Sequence, residues 1–140
     1  MSELIAELRR DEGVVPYAYK DSLGYWTIGV GRLIDRRKGG RLSDDEIDYL
    51  LANDIRRVDA ELDARLPWWR GLDPVRQRVL QNMAFNLGTA GLLGFKNTLA
   101  AVKAKRWSDA AAGMLASKWA RQVGERAERL AHMMKTGDVP

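Results

Sequence analysis

Residues 11–33 read DEGVVPYAYKDSLGYWTIGVGRL, and this stretch decides how the first part of the chain folds. Aromatic and β-branched residues flank a glycine-containing break at residues 22–24, which is the pattern of a β-hairpin. Gly29 and Gly31 indicate close approach of the backbone near the end of the hairpin. An apolar helical stripe precedes the stretch and ends at Gly13. The sequence therefore predicts a helix followed by a small antiparallel sheet.

A long helix is predicted after the sheet. Ser43 and Glu46 have the spacing of a capping box, in which the side chain of each residue accepts a hydrogen bond from the backbone N–H of the other. Apolar residues then recur on one face for about six turns, and Pro67 ends the element. This pattern places a helix over about residues 43–66, long enough to join two lobes.

The remainder of the chain is predicted to be helical. Asp73 is an N-cap in front of Pro74, and Gly88 ends the helix that they begin. Shorter helices are expected to start at Thr89, Asn97 and Ser108, with a last helix over about 125–135. The predicted fold class is α+β and mostly α. A small lobe with a short three-stranded antiparallel sheet (about 13–60) is joined by the long helix to an all-helical lobe (about 67–140 together with helix 1–12).

Composition limits the chemistry. The chain has 140 residues, 46% of them hydrophobic and 30% charged, which are ordinary values for one globular domain. It has no cysteine and a single histidine, so a disulfide framework, a thiolate metal site and a Ser-His-Asp triad are excluded or hard to build. We expect no cofactor and no metal.

The net charge of +4 is unevenly distributed. Residues 1–66 hold 11 Lys and Arg against 14 Asp and Glu, whereas residues 67–140 hold 12 against 5. A basic half suggests a polyanionic partner, which could be nucleic acid, anionic lipid or bacterial cell wall. No apolar run approaches the roughly 20 residues that span a bilayer, and the charged start does not fit a signal peptide. We therefore expect no stable membrane insertion, and a protein kept in the cytosol until another factor releases it.

Three residues of the opening stretch have side chains suited to catalysis. Glu12 continues the apolar stripe of the first helix, where loss of solvation would raise the pKa of its carboxyl and let it donate a proton; the alternative is a helix-end residue that tilts into water. Asp21 opens the hairpin turn, where aspartate commonly caps its own backbone, and Thr27 alone is a good strand former. Taken together, two carboxylates in unlike environments and a hydroxyl form the arrangement used to cleave glycosidic bonds.

The stretch resembles the catalytic segment of the T-even phage lysozymes, glycoside hydrolase family 24. The family pattern is Glu-Gly, then Tyr-x-Asp-x-x-Gly-x-x-Thr-Ile-Gly-x-Gly. The matching residues are Glu12, Gly13, Tyr19, Asp21, Gly24, Thr27, Ile28, Gly29 and Gly31. The likeness continues through NMAFNLGTAGLLGFKNTL (82–99), RWSDAA (106–111) and KWARQVGERAERL (118–130), so it covers nearly the whole chain.

The resemblance implies a lysozyme-like fold and a muramidase, which hydrolyses the β-1,4 bond between N-acetylmuramic acid and N-acetylglucosamine in peptidoglycan. It implies that Glu12 is the general acid, that Asp21 is the base or charge stabiliser facing the attacking water, and that Thr27 helps to hold that water. An inverting outcome is also implied, which needs carboxyl groups roughly 6.5–9.5 Å apart.

The resemblance further implies substrate contacts. Leu33, Phe85 and Thr98 match positions that contact the substrate, although Leu33 and Phe85 would fit a core equally well. The family position that supplies an asparagine to the substrate is Gly113 here, so that contact is expected to be missing. Trp26 is our expected aromatic sugar contact, because it lies between the two catalytic-type residues of the hairpin.

Supporting roles fall to three charged residues. Arg126 matches the family arginine that hydrogen-bonds the catalytic glutamate. Arg32 stands where the family usually has a histidine that pairs with an aspartate on the long helix, and the matching aspartate is Asp54. A carboxylate on the apolar face of a helix needs a partner, so we expect an Arg32–Asp54 ion pair.

Three other functions remain open. A lytic transglycosylase would cut the same bond without water, using a single acid. A basic nucleic-acid-binding module would explain the charge of the second half but not the spacing of the catalytic-type residues, so we expect no nucleic-acid partner. A catalytically silent wall-binding relative is the third. For a phage lysozyme the resemblance implies a monomer that accumulates in the host cytoplasm and reaches the wall of the periplasm through a holin-made hole.

Overall fold

The computed structural model describes residues 2–36 and 38–140 and has the predicted mixture of helices and a small sheet. Its elements in chain order are α1 (Ser2–Glu12), β1 (Val15–Lys20), β2 (Trp26–Gly29), β3 (Arg32–Leu33), α2 (Asp44–Arg65), a short 3-10 helix (Trp69–Gly71), α3 (Pro74–Leu87), α4 (Thr89–Leu93), α5 (Lys96–Lys103), α6 (Trp107–Leu115), α7 (Lys118–Val123) and α8 (Glu125–Thr136). They form two compact units that divide between Leu50 and Leu51. The predicted α+β, mostly α, fold class is confirmed.

The sheet has the order β1-β2-β3 and is antiparallel throughout, as the hairpin pattern predicts. Tyr19 lies opposite Thr27, and Thr27 lies opposite Leu33. Lys20 lies opposite Trp26. Successive side chains of a strand point to opposite faces. One face of the sheet therefore carries Tyr19, Thr27 and Leu33, and the other carries Lys20 and Trp26.

Helix α1 is fully exposed, in contrast to the sequence pattern, which predicts that its apolar stripe meets a core. Leu4, Ile5 and Leu8 are 43–51% exposed, and Glu12 at the end of the stripe is exposed as well. The side chain of Glu12 nevertheless lies against Gly31.

The start of α2 follows the predicted capping box in one direction only. The backbone N–H of Ser43 donates to Oε1 of Glu46 at 2.9 Å. The Ser43 hydroxyl, however, shares its single proton between Oδ1 of Asp45 at 2.6 Å and Oε1 of Glu46 at 2.8 Å instead of accepting from the helix. The hydrogen bond from Ser43 lowers the pKa of the Asp45 carboxyl from its ordinary value.

The predicted apolar face of α2 is buried only towards its C-terminal end. Leu62 is fully buried, whereas Ile47, Leu50, Leu51 and Ile55 are 40–48% exposed. The buried core begins at Leu62 and lies among the helices that follow. Its largest fully buried side chains are Leu62, Trp69, Leu80, Met83, Leu92, Met114, Leu130 and Met134.

No helix in the described part of the chain is long and apolar enough to cross a membrane.

A buried arginine ties the helices of the second unit together. Arg76, in the first turn of α3, donates from Nε to the carbonyl of Met134 at 2.7 Å and from Nη2 to the carbonyl of Lys135 at 3.1 Å. These carbonyls belong to the last turn of α8, whose C-terminal C=O groups have no partner within the helix. The guanidinium also lies 3.9 Å from the ring centre of Trp107 in α6. One side chain therefore links three helices.

Asp73 caps α3, as the sequence predicts, and also pairs with Arg76. Its carboxylate accepts from the backbone N–H of Arg76 at 3.1 Å and from Nη1 of Arg76 at 3.1 Å. Partial burial by itself would raise the pKa of the Asp73 carboxyl, but the hydrogen bonds from Arg76 outweigh it and hold the pKa below its ordinary value.

This pairing predicts a pH-dependent stability. Because the folded pKa of Asp73 lies below the unfolded value of about 3.9, its stabilisation is present above that value and is lost as the pH falls through the folded pKa. D73N, which keeps a capping side chain, should be less stable than the wild type near neutral pH and equal to it at about pH 2. D73A should lose a further ~1 kcal/mol because the cap is removed. Urea unfolding of the three proteins across this pH range measures the effect, and a D73N deficit that did not change with pH would contradict it.

Candidate active site

Glu12 lies at the C-terminal end of α1, and its side chain is seated against the turn between β2 and β3. Gly13 ends the helix with a positive φ of 79°, and its N–H donates to the carbonyl of Arg9 at 3.0 Å. A Cβ atom added to Gly31 would lie 2.5 Å from Oε2 and 3.0 Å from Cβ of Glu12. Only glycine at position 31 therefore leaves room for the glutamate where it is.

Asp21 is held by the backbone of the hairpin turn that it opens. Its Oδ1 atom accepts from the N–H groups of Leu23 and Tyr25, both at 2.9 Å. Its own N–H donates to the carbonyl of Tyr25 at 2.8 Å, and its carbonyl accepts from the N–H of Gly24 at 3.0 Å. Both side-chain bonds end on Oδ1, so the turn fixes the carboxylate and leaves Oδ2 to face water or substrate.

Thr27 lies between the two acids along β2. It is 6% exposed, and its hydroxyl donates to the carbonyl of Tyr25 at 3.2 Å. Asp21 pairs with Tyr25, two residues before Thr27, and Glu12 contacts Gly31, four residues after it. Thr27 is thus in β2, Asp21 is bound by the turn before β2, and Glu12 packs against the turn after it.

The exposed position of Glu12 corrects one expectation. The stripe of α1 predicts a carboxyl shielded from solvent, but the apolar residues that would shield it are themselves exposed. What distinguishes Glu12 from the other acids of α1 is its steric seat on Gly31. The sequence pattern marks Gly31 as a point of close backbone approach but does not identify the side chain that approaches it.

Trp26 lies on the face of the sheet opposite to Thr27, although it precedes Thr27 directly in the sequence. The ammonium group of Lys20 is 5.3 Å from the ring centre of Trp26, and a Cβ atom added to Gly40 would lie 3.4 Å from its Cβ and Cδ1 atoms. Leu33, in contrast, shares the face of Thr27, because the two residues are directly paired. Neighbours in the chain are on opposite faces, and partners across the ladder are on the same face.

Arg32 and Asp54 each have an ion-pair partner within their own unit. Arg32 pairs with the carboxylate of Glu46, and Asp54 pairs with Arg57, three residues further along α2, because residues three apart on a helix are neighbours on its surface. The Arg32–Asp54 pair stays a prediction. Glu46 therefore both accepts a hydrogen bond at the start of α2 and acts as the counter-ion of Arg32 in β3.

The remaining predicted residues belong to the second unit. Arg126 donates from Nε to Oδ1 of Asn82 at 2.9 Å, and both line a cavity of about 280 Å³ together with Phe85, which is 46% exposed. Thr98 is buried and lies so close to Gly113 that no side chain would fit at position 113. Sequence reasoning missed Asn82, although its position three residues before Phe85 on the same helix places the two on one face.

The described residues contain no group of three His, Cys, Asp or Glu side chains that could hold a metal ion. The chemistry open to the site is that of two carboxyl groups and a hydroxyl. A carboxyl seated on glycine, a second one fixed by backbone N–H groups and a hydroxyl between them are groups that can donate a proton, accept one and orient a water.

A family model described as phage lysozyme matches residues 9–134. The chain belongs to the phage lysozyme family. It is therefore a glycoside hydrolase of the lysozyme type, a class of enzyme that hydrolyses peptidoglycan. The curated relatives include two proteins of Dictyostelium discoideum, Probable T4-type lysozyme 1 (29% identical, covering 94% of this chain and 93% of that protein) and Probable T4-type lysozyme 2 (28% identical, covering 99% and 97%).

A third relative shows the same domain within a longer protein. The pre-baseplate central spike protein Gp5 of Enterobacteria phage T4 is 29% identical over 157 aligned positions. The match covers 94% of this chain but 27% of the spike protein.

Two glycines near the site give a matched test of the seat of Glu12. Gly29 and Gly31 both have a positive φ, at 68° and 59°, so alanine at either position is strained by roughly 1–2 kcal/mol. A Cβ atom meets nothing within 4 Å at Gly29 but meets the Glu12 carboxylate at Gly31. G31A should therefore lose at least about tenfold more lytic activity than G29A at a similar loss of stability. Turbidity loss of purified walls measures the activity, and thermal unfolding measures the stability. Equal losses of activity in G31A and G29A would contradict a role for the packing of Glu12 against Gly31.

Proposed function

We propose that this protein is an N-acetylmuramidase that hydrolyses the β-1,4 bond between N-acetylmuramic acid and N-acetylglucosamine in bacterial peptidoglycan. Membership of the phage lysozyme family supports it, as do relatives whose names identify them as T4-type lysozymes. The observation that carries the proposal is that β2 and its two turns hold all three residues: Asp21 is bound by the turn before β2, Thr27 lies in β2, and Glu12 packs against Gly31 after β2.

Each residue then has a distinct role. Glu12 protonates the oxygen of the leaving sugar, and its seat on Gly31 fixes the direction from which the proton comes. Asp21, tied at Oδ1 by two N–H groups, uses Oδ2 to accept a proton from the attacking water. Thr27 holds that water between them, because its hydroxyl oxygen can accept a hydrogen bond while donating to the carbonyl of Tyr25.

This division of roles favours inversion at the sugar carbon. An inverting enzyme keeps a water between its two carboxyl groups and attacks from the face opposite to the leaving oxygen. Here the hydroxyl of Thr27 lies along β2 between the positions that carry the two acids. Cleavage of a β-linkage should therefore release the α-anomer first, which proton NMR of the early products detects. A first product in the β-form would show a retaining route.

The roles of the two acids are tested by isosteric amides. E12Q should lose about 10²–10⁴-fold in the rate of wall lysis because the proton donor is removed, with little change in folding since Glu12 is exposed. D11N is the matched control: Asp11 is the adjacent exposed acid and pairs with Arg10, so its loss should leave lysis within about twofold.

D21N separates hydrolysis from the action of a lytic transglycosylase. Asparagine keeps Oδ1 as an acceptor for the turn but cannot take a proton from water, so hydrolysis should be abolished while the fold is retained. Near-normal turnover with anhydro-muramic products, which differ by one water in mass, would favour the transglycosylase instead.

We also propose that Leu33, Phe85 and Thr98 contact the glycan, and that Arg126 supports the acid chemistry. The enzyme would act as a monomer in lysis of a host cell, with the cytoplasm as its place of accumulation and a holin as the route to the wall. These roles follow from the family resemblance of the matching residues.

A further inference from the structure

The face of the sheet opposite to Thr27 carries a cavity with no role in the proposed chemistry. Its volume is about 290 Å³, and its wall includes the ring of Trp26, the side chain of Ile34 and Arg41. Ala18 also lines it, two residues from Lys20 and on the same face of β1. The size is at the lower end of the range for ligand pockets, and suits one sugar or amino-acid unit.

Two cationic side chains lie at this cavity. Arg41 is part of its wall, and the ammonium group of Lys20 lies 5.3 Å from the ring centre of Trp26, which also lines it. A third, Lys38, lies over the ring of Tyr25 in the preceding turn. Among the described residues, no carboxylate lies within ion-pair distance of Lys20 or Lys38. Arg41 forms an ion pair with Asp35 through Nε at 3.7 Å, and the other N–H groups of its five-donor guanidinium can serve a ligand.

This combination selects a ligand chemistry. An aromatic ring beside small apolar residues accepts the apolar face of a sugar or peptide unit. A guanidinium recognises a carboxylate through paired hydrogen bonds, and a nearby ammonium adds a point charge. The positive charge of Lys20 and Arg41 is a local feature of this cavity and does not reflect the net charge of the first 66 residues, where acidic residues outnumber basic ones.

We propose that the cavity lined by Trp26 and Arg41 is a second wall-binding site, which takes a peptide-bearing muramic acid unit through the carboxylates of its peptide. The site is distinct from the catalytic face because Trp26 and Thr27 point to opposite sides of β2. It rests on the proposed function in that peptidoglycan is the polymer bound. A second site on the same polymer raises the effective concentration of glycan at the catalytic face without any change in the catalytic groups.

The first experiment measures binding alone. E12Q is the background, so that the wall is not digested, and co-sedimentation with purified sacculi free of teichoic acid gives the dissociation constant. Adding K20Q and R41Q should raise this constant about tenfold, as expected for the loss of charge-assisted hydrogen bonds. Adding K118Q and R121Q, which removes the same charge from exposed positions of α7, should raise it less than about twofold. Equal effects of the two pairs would show a general charge effect and overturn the proposal.

The second experiment identifies the ligand group. A soluble disaccharide-peptide titrated into labelled E12Q should shift the indole signal of Trp26 and the amide signals of Gly39 and Gly40 in NMR spectra. The same compound with its peptide carboxylates amidated should not shift them. Shifts with both compounds, or shifts confined to the catalytic face, would contradict carboxylate recognition.

Catalysis by the active enzyme separates this proposal from the proposed function. With Glu12 intact, K20Q/R41Q should keep the kcat of the wild type on a short soluble glycan but require more wall for half-maximal lysis. If the wild type does not cleave the glycan at all, the muramidase proposal fails, while the sedimentation result still decides whether the cavity binds wall. If cleavage is normal and both kcat and wall dependence are unchanged in K20Q/R41Q, the second site fails alone.

Discussion

The candidate active site depends on a steric constraint: the side chain of Glu12 occupies the space that any side chain at position 31 would need. This contact fixes the end of α1 to the turn after β2. From there β2 runs back through Thr27 to Tyr25, whose N–H and carbonyl groups bind Asp21 and whose carbonyl accepts from Thr27. A short run of strand backbone, which stretches little, therefore separates the contact point of Glu12 from that of Asp21.

Side chains alternate along β2, so the two faces of the sheet carry different residues and have different proposed roles. Thr27 and Leu33 form one ladder pair on the proposed catalytic face. Lys20 and Trp26 form the next pair along β1 and β2, on the other face, beside Arg41. One polymer can contact both faces, because peptidoglycan is extended and repetitive while each face accepts only a small unit of it. A single narrow sheet can in this way hold its substrate and cleave it with different residues.

Local signals predicted most of the fold, because capping and turn chemistry act within a few residues. Asp73 begins α3 as expected, and the hairpin follows from the break in residues 11–33. Contacts between elements were less predictable. The sequence pattern did not indicate Glu46 as a partner of Arg32, since several acids of α2 can serve as its counter-ion. The position of Trp26 next to Thr27 in the chain did not indicate a shared face, because neighbours in a strand point to opposite faces.

Each unit has its own kind of internal stabilisation, and this difference bears on the candidate site. The core lies among the helices of the second unit, where Arg76 also bridges helix ends. Among the described residues up to Leu50, Thr27 is the one buried side chain. The turns around Asp21 are consequently ordered by backbone hydrogen bonds, which constrain direction as well as distance, as proton transfer requires. A glycan bound at either proposed face would add apolar contact to this unit, would stabilise it by linkage, and would thereby couple retention on the wall to the geometry of the two carboxyl groups.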